Sequence, residues 1–477
     1  MNKYRLVTTV LLTSMLAACA FGPDYHRPAM PMPTPAHFAR AESGAGSTAA
    51  APTGDAEFWR SFNDPELTAL IGRALSANND LRVALARYDG ENALLREAKF
   101  DRFPTVTASA LAGHQRVSQD QAFGFPRSAD IYGASANASW ELDFFGRVRR
   151  GIEMRGAETA ARADDLQALQ ISIVGEVASA YAHLRGTQER LRVARRNADN
   201  QRETLRIVNV RSHSGRDSDF DTARAQAQFE STTSRVPVFE AQIAVDQHRL
   251  AVLTGRDPGA LIAELDAPAP LPSLPARIDP DTPAELLRRR PDVAAAEQRL
   301  HAATARVGVA TADLFPSLSL RGVLGTFAFS SGGLFKSASE SNLVALGVDW
   351  SFLDVGRVRA RIAASNSEAS GLLAQYQQTV LLALEDVENA LVRYSRTQTE
   401  DQHLERAAAN SARATQLART RLKAGTIGLY EVLDAERTQF EAQDAFADGR
   451  TRSAVTAIAL YKALAGGWPQ HLPPREE

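Results

Sequence analysis

The chain repeats itself at an offset of 210–212 residues, and this repetition limits its fold more than any other feature. Four blocks of the first half recur in the same order in the second half, among them SWELDFFGRVRR at 139–150 and DWSFLDVGRVRA at 349–360. Trp350 lies 210 residues after Trp140, and Gly425 lies 210 residues after Gly215. Blocks that keep both order and spacing indicate two tandem copies of one unit.

Each copy is predicted to contain a helix, two strands, a very long helix, a hairpin tip and a returning helix. We assign the first copy to 58–256 and the second to 284–468. The Pro-rich linker 257–283 joins them, and a C-terminal tail at 469–477 follows.

The second strand of each copy alternates between apolar and small or polar residues over about ten positions. In YGASANASWEL at 132–142 the alternation begins at Tyr132 and ends at Leu142. A soluble half-buried strand and a membrane β-strand both show this pattern. The N-terminal signal and the presence of only two strands per copy favour the membrane strand. In the second copy five residues are predicted to share one face: Val344, Leu346, Val348, Trp350 and Phe352.

The helices after the strands are predicted to be unusually long. No proline occurs between Pro126 and Pro237 or between Pro316 and Pro469. The helical pattern continues from Val148 to His213 and again from Val355 to Lys423. At a rise of 1.5 Å per residue, each helix would be on the order of 100 Å long.

The first residues form a predicted signal peptide at 1–18. Two basic residues precede an apolar stretch too short to cross a bilayer, and small residues then lead to Cys19, the only cysteine in the chain. This arrangement resembles a lipoprotein signal, with diacylglycerol and an N-acyl chain on Cys19 and an extended lipidated segment at 19–57. An ordinary signal peptide with a cysteine near its cleavage site is the alternative. Ala20, rather than aspartate, implies sorting to the outer membrane.

The mature chain has a nearly balanced charge and no long apolar run. Removing the basic residues Lys3 and Arg5 changes the formal charge from −2 to −4, so no basic patch for nucleic acid is expected. One cysteine excludes an internal disulfide and disfavours a thiolate metal cluster. No apolar run after residue 18 approaches the ~20 residues of a transmembrane helix. If the mature chain crosses a membrane, we expect it to do so as β-strands.

Four strands cannot close a barrel, and an open sheet edge cannot lie in lipid. Several chains must therefore contribute, eight strands from a dimer or twelve from a trimer. Barrels of about eight strands are filled by side chains, so only the wider barrel leaves an aqueous lumen. The sequence predicts a symmetric oligomer in which a short barrel stands on a long hollow helical body. Such an assembly is a conduit.

Seven motifs extend over nearly the whole mature chain: CAFGPDYHRP at 19–28, FWRSFNDPEL at 58–67, ASWELDFFGRVRR at 138–150, LLRRRPDVAAAEQRL at 286–300, FPSLSL at 315–320, LDAERTQFEAQ at 433–443 and LYKALAGGW at 460–468. With these motifs the chain resembles the TolC-like outer-membrane efflux proteins, specifically the OprM- and NodT-type lipoproteins. The departures are small: Ala465 stands where this branch usually has glycine, and Val355 stands where a second glycine is common.

The resemblance implies a homotrimer of mixed α and β structure, with a shared twelve-stranded outer-membrane barrel continued by a periplasmic α-helical tunnel. It implies a periplasmic adaptor and an inner-membrane pump of the resistance-nodulation-division type as partners, outer-membrane lipid around the barrel, and no enzymatic activity. The function would be passive conduction of small molecules, such as drugs or toxic compounds, to the outside. Beyond the lipid on Cys19, no cofactor or metal is expected.

Gly425 and Gly428 interrupt the helical pattern of the second copy, and Gly215 does so in the first. The resemblance implies that these hairpin tips bind the adaptor. The tip residues are His213, Ser214, Gly215 and Arg216 in the first copy, and Lys423, Ala424, Gly425, Thr426, Ile427 and Gly428 in the second.

The resemblance also implies a periplasmic gate just after the second tip. The constriction aspartate corresponds to Asp434, an arginine to Arg437, an apolar position to Tyr430 and a further acid to Glu431. The spacing places Tyr430, Asp434 and Arg437 on one helix face. Three converging carboxylates would repel each other and attract cations. The local alternative is an ion pair between Asp434 and Arg437 across one helical turn.

Functions other than a conduit are less well supported by the sequence. A non-conducting lipoprotein spacer would need no alternating strands, and an enzyme would need a convergent polar pocket, yet no common catalytic motif occurs. Among conduits, a type I protein-secretion exit duct is the alternative interpretation. The acidic cluster Glu385, Asp386 and Glu388 is expected to be solvated or to face a lumen.

Overall fold

The computed structural model of the chain covers most of the predicted mature protein. Within the described part, no helix combines the length and the apolar character needed to cross a membrane. The predicted signal peptide 1–18, Cys19, Arg216 and the predicted tail 469–477 lie outside the described residues. The structure describes residues 21–28, 37–39, 57–122, 126–215, 218–274, 278 and 282–465.

The first half contains two helices, two strands, a very long helix and an interrupted return. Its elements are α1 (Pro65–Ala77), α2 (Asn79–Phe100), β1 (Thr105–Arg116), β2 (Ser128–Leu142), α3 (Arg147–His213), α4 (Asp219–Thr233) and α5 (Arg235–Leu253).

The second half follows the same order after one short helix. Two helices rather than the single predicted one precede the strands in each half. The elements are α6 (Ile262–Leu265), α7 (Pro283–Arg289), α8 (Pro291–Ala312), β3 (Ser317–Ala328), β4 (Glu340–Asp349), α9 (Val355–Lys423) and α10 (Leu429–Leu464).

The two long helices are confirmed. Helix α3 has 67 residues and α9 has 69, so each extends for about 100 Å. The returns differ, because α10 is continuous over 36 residues whereas the first return is interrupted at Ser234. Pro237 accounts for the interruption, since it has no N–H to donate to the carbonyl four residues earlier and its ring crowds that carbonyl.

The four strands form one antiparallel sheet in the order β1-β2-β3-β4. Cross-strand partners point to the same side of a sheet, so the register defines its two faces. Partners such as Val106 and Ala138, or Trp140 and Leu320, lie on an apolar face. On the other face Ser109 is paired with Ser135, and their hydroxyls are hydrogen-bonded at 2.8 Å. The predicted alternation is confirmed along β2.

The predicted alternation was wrong at the end of β4. That strand ends at Asp349, so Trp350 and Phe352 lie outside it. The chain turns there toward α9: the Asp354 N–H donates to the Ser351 carbonyl at 3.0 Å. The Trp350 indole donates to the backbone carbonyl of Leu314 at 3.1 Å, which fixes the ring at the turn.

The chain divides into two compact units that do not coincide with the two copies of the sequence. Among the described residues, one unit contains those up to 28 together with those of 87–163 and 294–378. The other contains the described residues of 37–86, 164–293 and 379–465. Each copy therefore contributes segments to both units.

The motif FWRSFNDPEL at 58–67 builds part of the core of the second unit. The Phe58 ring stacks on Tyr461 with centroids 4.6 Å apart. Asp64 caps α1 by accepting the Leu67 N–H at 3.0 Å. Its second oxygen accepts the hydroxyl of the buried Tyr181 at 2.9 Å, so one carboxylate begins α1 and ties it to α3.

Residues 21–28, which we call the N-terminal clasp, pack within the first unit. The Phe21 ring centroid lies 4.1 Å from that of Phe315 and 5.9 Å from that of Phe145. The Phe21 N–H also donates to the Phe145 carbonyl at 3.2 Å. Phe145 follows β2 and Phe315 precedes β3, so the clasp is attached where the strands meet the helices.

Polar contacts complete the clasp. Asp24 pairs with Arg150, whose side chain is only 6% exposed, and this guanidinium lowers the pKa of Asp24. Tyr25 stacks on His301 at 4.3 Å and donates its hydroxyl to Glu297 at 3.2 Å. The motif FGPDYHRP thus forms a segment bound through its side chains and through the backbone N–H of Phe21.

Candidate functional site at the hairpin tips

The second predicted tip is a tight helix ending built around Gly425. The Gly425 N–H donates to the Leu422 carbonyl and the Thr426 N–H to the Arg421 carbonyl, both at 3.0 Å. This pair of bonds is a Schellman motif, which requires a left-handed residue at its turn. Gly425 supplies that residue with φ 72°.

The first predicted tip ends α3 in a similar way. Gly215 has φ 71°, and its N–H donates to the Ser212 carbonyl at 2.8 Å. His213 Nδ1 lies 2.6 Å from the Asn209 carbonyl, and the Ser214 hydroxyl donates to the Arg211 backbone. Like Gly425, Gly215 occupies the turn because it reaches positive φ without strain.

Helix starts after the two tips are capped differently. Ser218 and Asp221 form a capping box at the start of α4, each side chain accepting the other's backbone N–H. Helix α10 begins after Gly428 without a side-chain cap. Glu431 turns back toward that glycine, since a Cβ placed on Gly428 would lie 3.0 Å from Glu431 Oε2. An acid in the first turn stabilises the positive end of the helix dipole.

The predicted gate residues Tyr430, Asp434 and Arg437 are all exposed on α10. Arg437 donates to Asp434 Oδ1 at 2.8 Å and to Glu441 Oε1 at 3.1 Å. The hydrogen bond to Asp434 and the charge of Glu441 raise the pKa of Arg437. The local ion pair considered as an alternative is therefore formed within one chain. The ring of Asp434 side chains from several chains stays a prediction.

Tyr430 contacts the return of the first copy. The Arg224 guanidinium lies 4.6 Å from the centre of the Tyr430 ring and 5.6 Å from that of Phe220. Both rings are more than half exposed. This cation–π stack connects α4 to the first turn of α10 through Tyr430, one of the predicted gate residues.

An apolar cluster joins the two hairpins through residues adjacent in sequence to Arg224 and Tyr430. Ala225 of the first return packs with Leu429 and Leu433 of α10, and with two residues of α3. The buried members are Leu205, Val208, Ala225, Leu429 and Leu433, and Phe229 and Leu422 pack against them.

Sequence reasoning missed Glu436, the most buried charged residue of this region. Its side chain is 2% exposed and accepts hydrogen bonds from Thr204 of α3 and Arg419 of α9. A signal was present in the sequence, because Glu436 continues the apolar spacing of Leu429 and Leu433. A charged residue on the apolar side of a helix needs a buried partner.

Each carboxylate of the acidic cluster of α9 accepts a hydrogen bond from within the chain. Arg290 donates to Asp386 at 3.2 Å, and Glu388 accepts the Ala39 N–H at 2.7 Å. Asn389 donates to Glu385 at 3.5 Å. Over the described part of the chain, no three His, Cys, Asp or Glu side chains are grouped to hold a metal ion.

The sequence matches one known family. Residues 70–256 and 282–466 match the profile of the outer membrane efflux protein family. The outer membrane protein OprJ of Pseudomonas aeruginosa is 32% identical over 475 residues, covering 97% of this chain and 96% of OprJ. The solvent efflux pump outer membrane protein SrpC of Pseudomonas putida is 28% identical and covers 95% and 96%.

The fold matches a solved channel structure. The outer-membrane channel OprN superimposes with a TM-score of 0.85 at 38% sequence identity. The match covers 94% of this chain and 100% of OprN.

Proposed function

Since this chain belongs to the outer membrane efflux protein family, we propose that it is the outer-membrane exit channel of a tripartite efflux pump. It conducts small molecules, such as drugs or other toxic compounds, out of the cell without catalysing a reaction. The relative SrpC is the outer membrane protein of a solvent efflux pump, which supports small molecules as the exported substrates.

The observation that carries the proposal is the four-stranded sheet with one apolar and one polar face. A membrane strand meets lipid on one side and water on the other. We assign the apolar face of Val106, Ala138 and Leu320 to lipid and the face of Ser109 and Ser135 to a lumen. Three chains then supply twelve strands, and the long helices continue the lumen through the periplasm.

The tips and the lipid complete the assignment. Cys19 carries the diacylglycerol and N-acyl chain that anchor the protein in the outer membrane, after removal of residues 1–18. His213–Arg216 and Lys423–Gly428 bind a periplasmic adaptor, which connects the channel to an inner-membrane pump of the resistance-nodulation-division type. The positive φ of Gly215 and Gly425 supports this role, because each glycine ends its long helix in a tight turn.

Asp434 forms the gate together with Tyr430, Glu431 and Arg437. The helix face shared by Tyr430, Asp434 and Arg437 and its exposure support this assignment, since those side chains are available to a neighbouring chain. Copies of Asp434 around a threefold axis would draw cations into the constriction. In the resting trimer this ring is shut, and binding of the adaptor opens it.

The experiment compares Asp434→Ala with the unmodified channel in planar bilayers. We expect a higher single-channel conductance, because the ring of carboxylates and its pairing with Arg437 are lost. Glu400→Gln is the matched control, since Glu400 is an exposed carboxylate that pairs with Arg452 of α10 at 2.7 Å, away from the tip. Unchanged conductance of Asp434→Ala would remove this residue from the gate.

Export is tested in a strain that lacks its own exit channel but keeps an adaptor and a pump. Expression of the chain should restore resistance to the exported drugs. Sensitivity equal to that of the empty strain, with the protein present in the outer membrane, would contradict the proposal for that pump. Testing several pumps identifies the partner.

A further inference from the structure

We propose that Glu436 is a positioning residue of the gate, holding α10 against α3 and α9 and so determining where Asp434 projects. This inference rests on the gate assigned above. Glu436 itself faces the protein interior and lines no channel.

The contacts of Glu436 join three helices at one oxygen atom. Glu436 Oε1 accepts the Thr204 hydroxyl at 2.7 Å. The same oxygen accepts Nε and Nη2 of Arg419 at 2.9 and 2.7 Å. The other carboxylate oxygen is buried and has no hydrogen-bond partner within the described part of the chain. The charge is therefore compensated through Oε1 alone.

A second bond attaches the same turn of α10 to α9. The Thr415 hydroxyl donates to the Ala435 carbonyl at 2.8 Å, and Thr415 is 1% exposed. Two consecutive residues of α10, Ala435 and Glu436, are thus bonded to α9 through different groups. Rotation or sliding of this turn would break both bonds.

Asp434 lies two residues before Glu436 in the same helix. At 3.6 residues per turn the two side chains are about 200° apart around the axis, so they project from opposite sides. Asp434 is half exposed, whereas Glu436 is buried. Because a helix is stiff over such a short distance, fixing the buried side fixes the direction of the exposed one.

A buried carboxylate strongly favours one arrangement of its surroundings. Glu436 lies one helical turn from Leu433, a member of the buried apolar cluster. A shift of α10 by one turn in that direction would bring the charge among apolar side chains and away from its donors. A buried charge without a partner is among the most unfavourable features of a protein interior. Glu436 therefore limits α10 to the position in which Thr204 and Arg419 can both reach it.

The experiment measures the ratio of open to closed channels in planar bilayers for Thr204→Val, Thr204→Ser and Glu436→Gln. Valine has nearly the shape of threonine but removes the donor, and serine retains it. We expect Thr204→Val to raise the ratio by about tenfold, the effect of losing one hydrogen bond to a charged group. Thr204→Ser should stay close to the unmodified channel, and Glu436→Gln should rise like Thr204→Val. Glu400→Gln is again the control.

The outcomes distinguish a failure of the positioning role of Glu436 from a failure of the proposed gate at Asp434. The positioning role is supported if the open-to-closed ratio rises in Thr204→Val and Glu436→Gln but not in Thr204→Ser. A merely structural role would lower thermal stability and leave the open-to-closed ratio of folded channels unchanged, which would overturn the inference. If Asp434→Ala opens the channel while Thr204→Val does not, Glu436 does not position the gate, although the gate stands. If none of the variants changes the ratio, both proposals are wrong.

Discussion

Trp140 and Trp350 make the same hydrogen bond in the two halves of the chain. The Trp140 indole donates to the Arg102 carbonyl at 3.0 Å, and the Trp350 indole donates to the Leu314 carbonyl at 3.1 Å. Both acceptors lie in the turn between a helix and the first strand of their half. The correspondence between the halves thus extends to individual side-chain contacts.

Replacing either tryptophan by phenylalanine should remove this bond and keep most of the ring. We expect Trp140→Phe and Trp350→Phe each to destabilise the protein by about 1 kcal/mol, the usual net contribution of one hydrogen bond. Thermal unfolding in detergent measures the change. A loss of stability in one variant only would show that the two bonds do not contribute equally.

The tip glycine Gly425 is predicted to be required for its backbone angle rather than for space. A Cβ at Gly425 would meet nothing within 4 Å, but φ is 72°. Gly425→Ala should therefore destabilise the tip by about 1–2 kcal/mol. Hydrogen exchange of the tip amides should increase, and export should fall if the tip binds the adaptor.

Gly371 provides the matched control for this substitution. It lies within α9, and a Cβ there also meets nothing within 4 Å. Since alanine is the better helix former, Gly371→Ala should stabilise the helix by about 0.5–1 kcal/mol. Equal effects of Gly371→Ala and Gly425→Ala would contradict the role of positive φ.

Loss of Arg150 is predicted to release the N-terminal clasp. Arg150→Ala removes a nearly buried partner of the exposed Asp24 and should loosen the attachment of this segment. Limited proteolysis of residues 21–28 should become faster. His26→Ala, at an exposed position of the same segment, should leave the rate unchanged.

Asp246 is predicted to lower stability at neutral pH. Burial raises its pKa, although the Gln242 hydrogen bond and His183 act in the opposite direction. Because the pKa is higher in the folded state, the contribution of this carboxyl group to the free energy of unfolding is fully present below the unfolded-state pKa. It is lost as the pH rises through the folded-state pKa. Asp246→Asn should therefore raise the Tm at pH 7 by roughly 2 °C.

The difference between Asp246→Asn and the unmodified protein should disappear near pH 3, where the unfolded carboxyl is also protonated. Asp199→Asn is the control, because Asp199 is exposed and pairs with Arg202 on its own helix. A stabilisation by Asp246→Asn that does not depend on pH would show that burial of the charge is not its cause.

Local patterns in the sequence were sufficient for the long elements. The absence of proline and the helical spacing placed α9 at its observed ends, Val355 and Lys423, and α3 within one residue of its start at Arg147. Glycine identified both tips, because a positive φ is a local property of the backbone. The alternation of residue types predicted the faces of β2 correctly. Along β4 the predicted strand was too long, because the alternation continues past Asp349, where the chain turns.

Contacts between distant residues were not predictable from one sequence. The clasp joins Asp24 to Arg150, 126 residues away, and Glu436 bonds Thr204, 232 residues away. Spacing indicates that Glu436 faces a core, yet the choice of partner depends on how three helices pack. The division of each copy between two compact units likewise depends on contacts between residues far apart in the sequence.

The interruption at Ser234 gives the two halves different mechanical properties. The return helix α10 is continuous over 36 residues, so a bending force is distributed along its whole length. The first return has a compliant joint between α4 and α5, where Pro237 removes a backbone bond. Under equal forces on the two tips, we expect the first return to bend near Ser234 and α10 to stay straight. The two copies would then differ in stiffness although their sequences are similar.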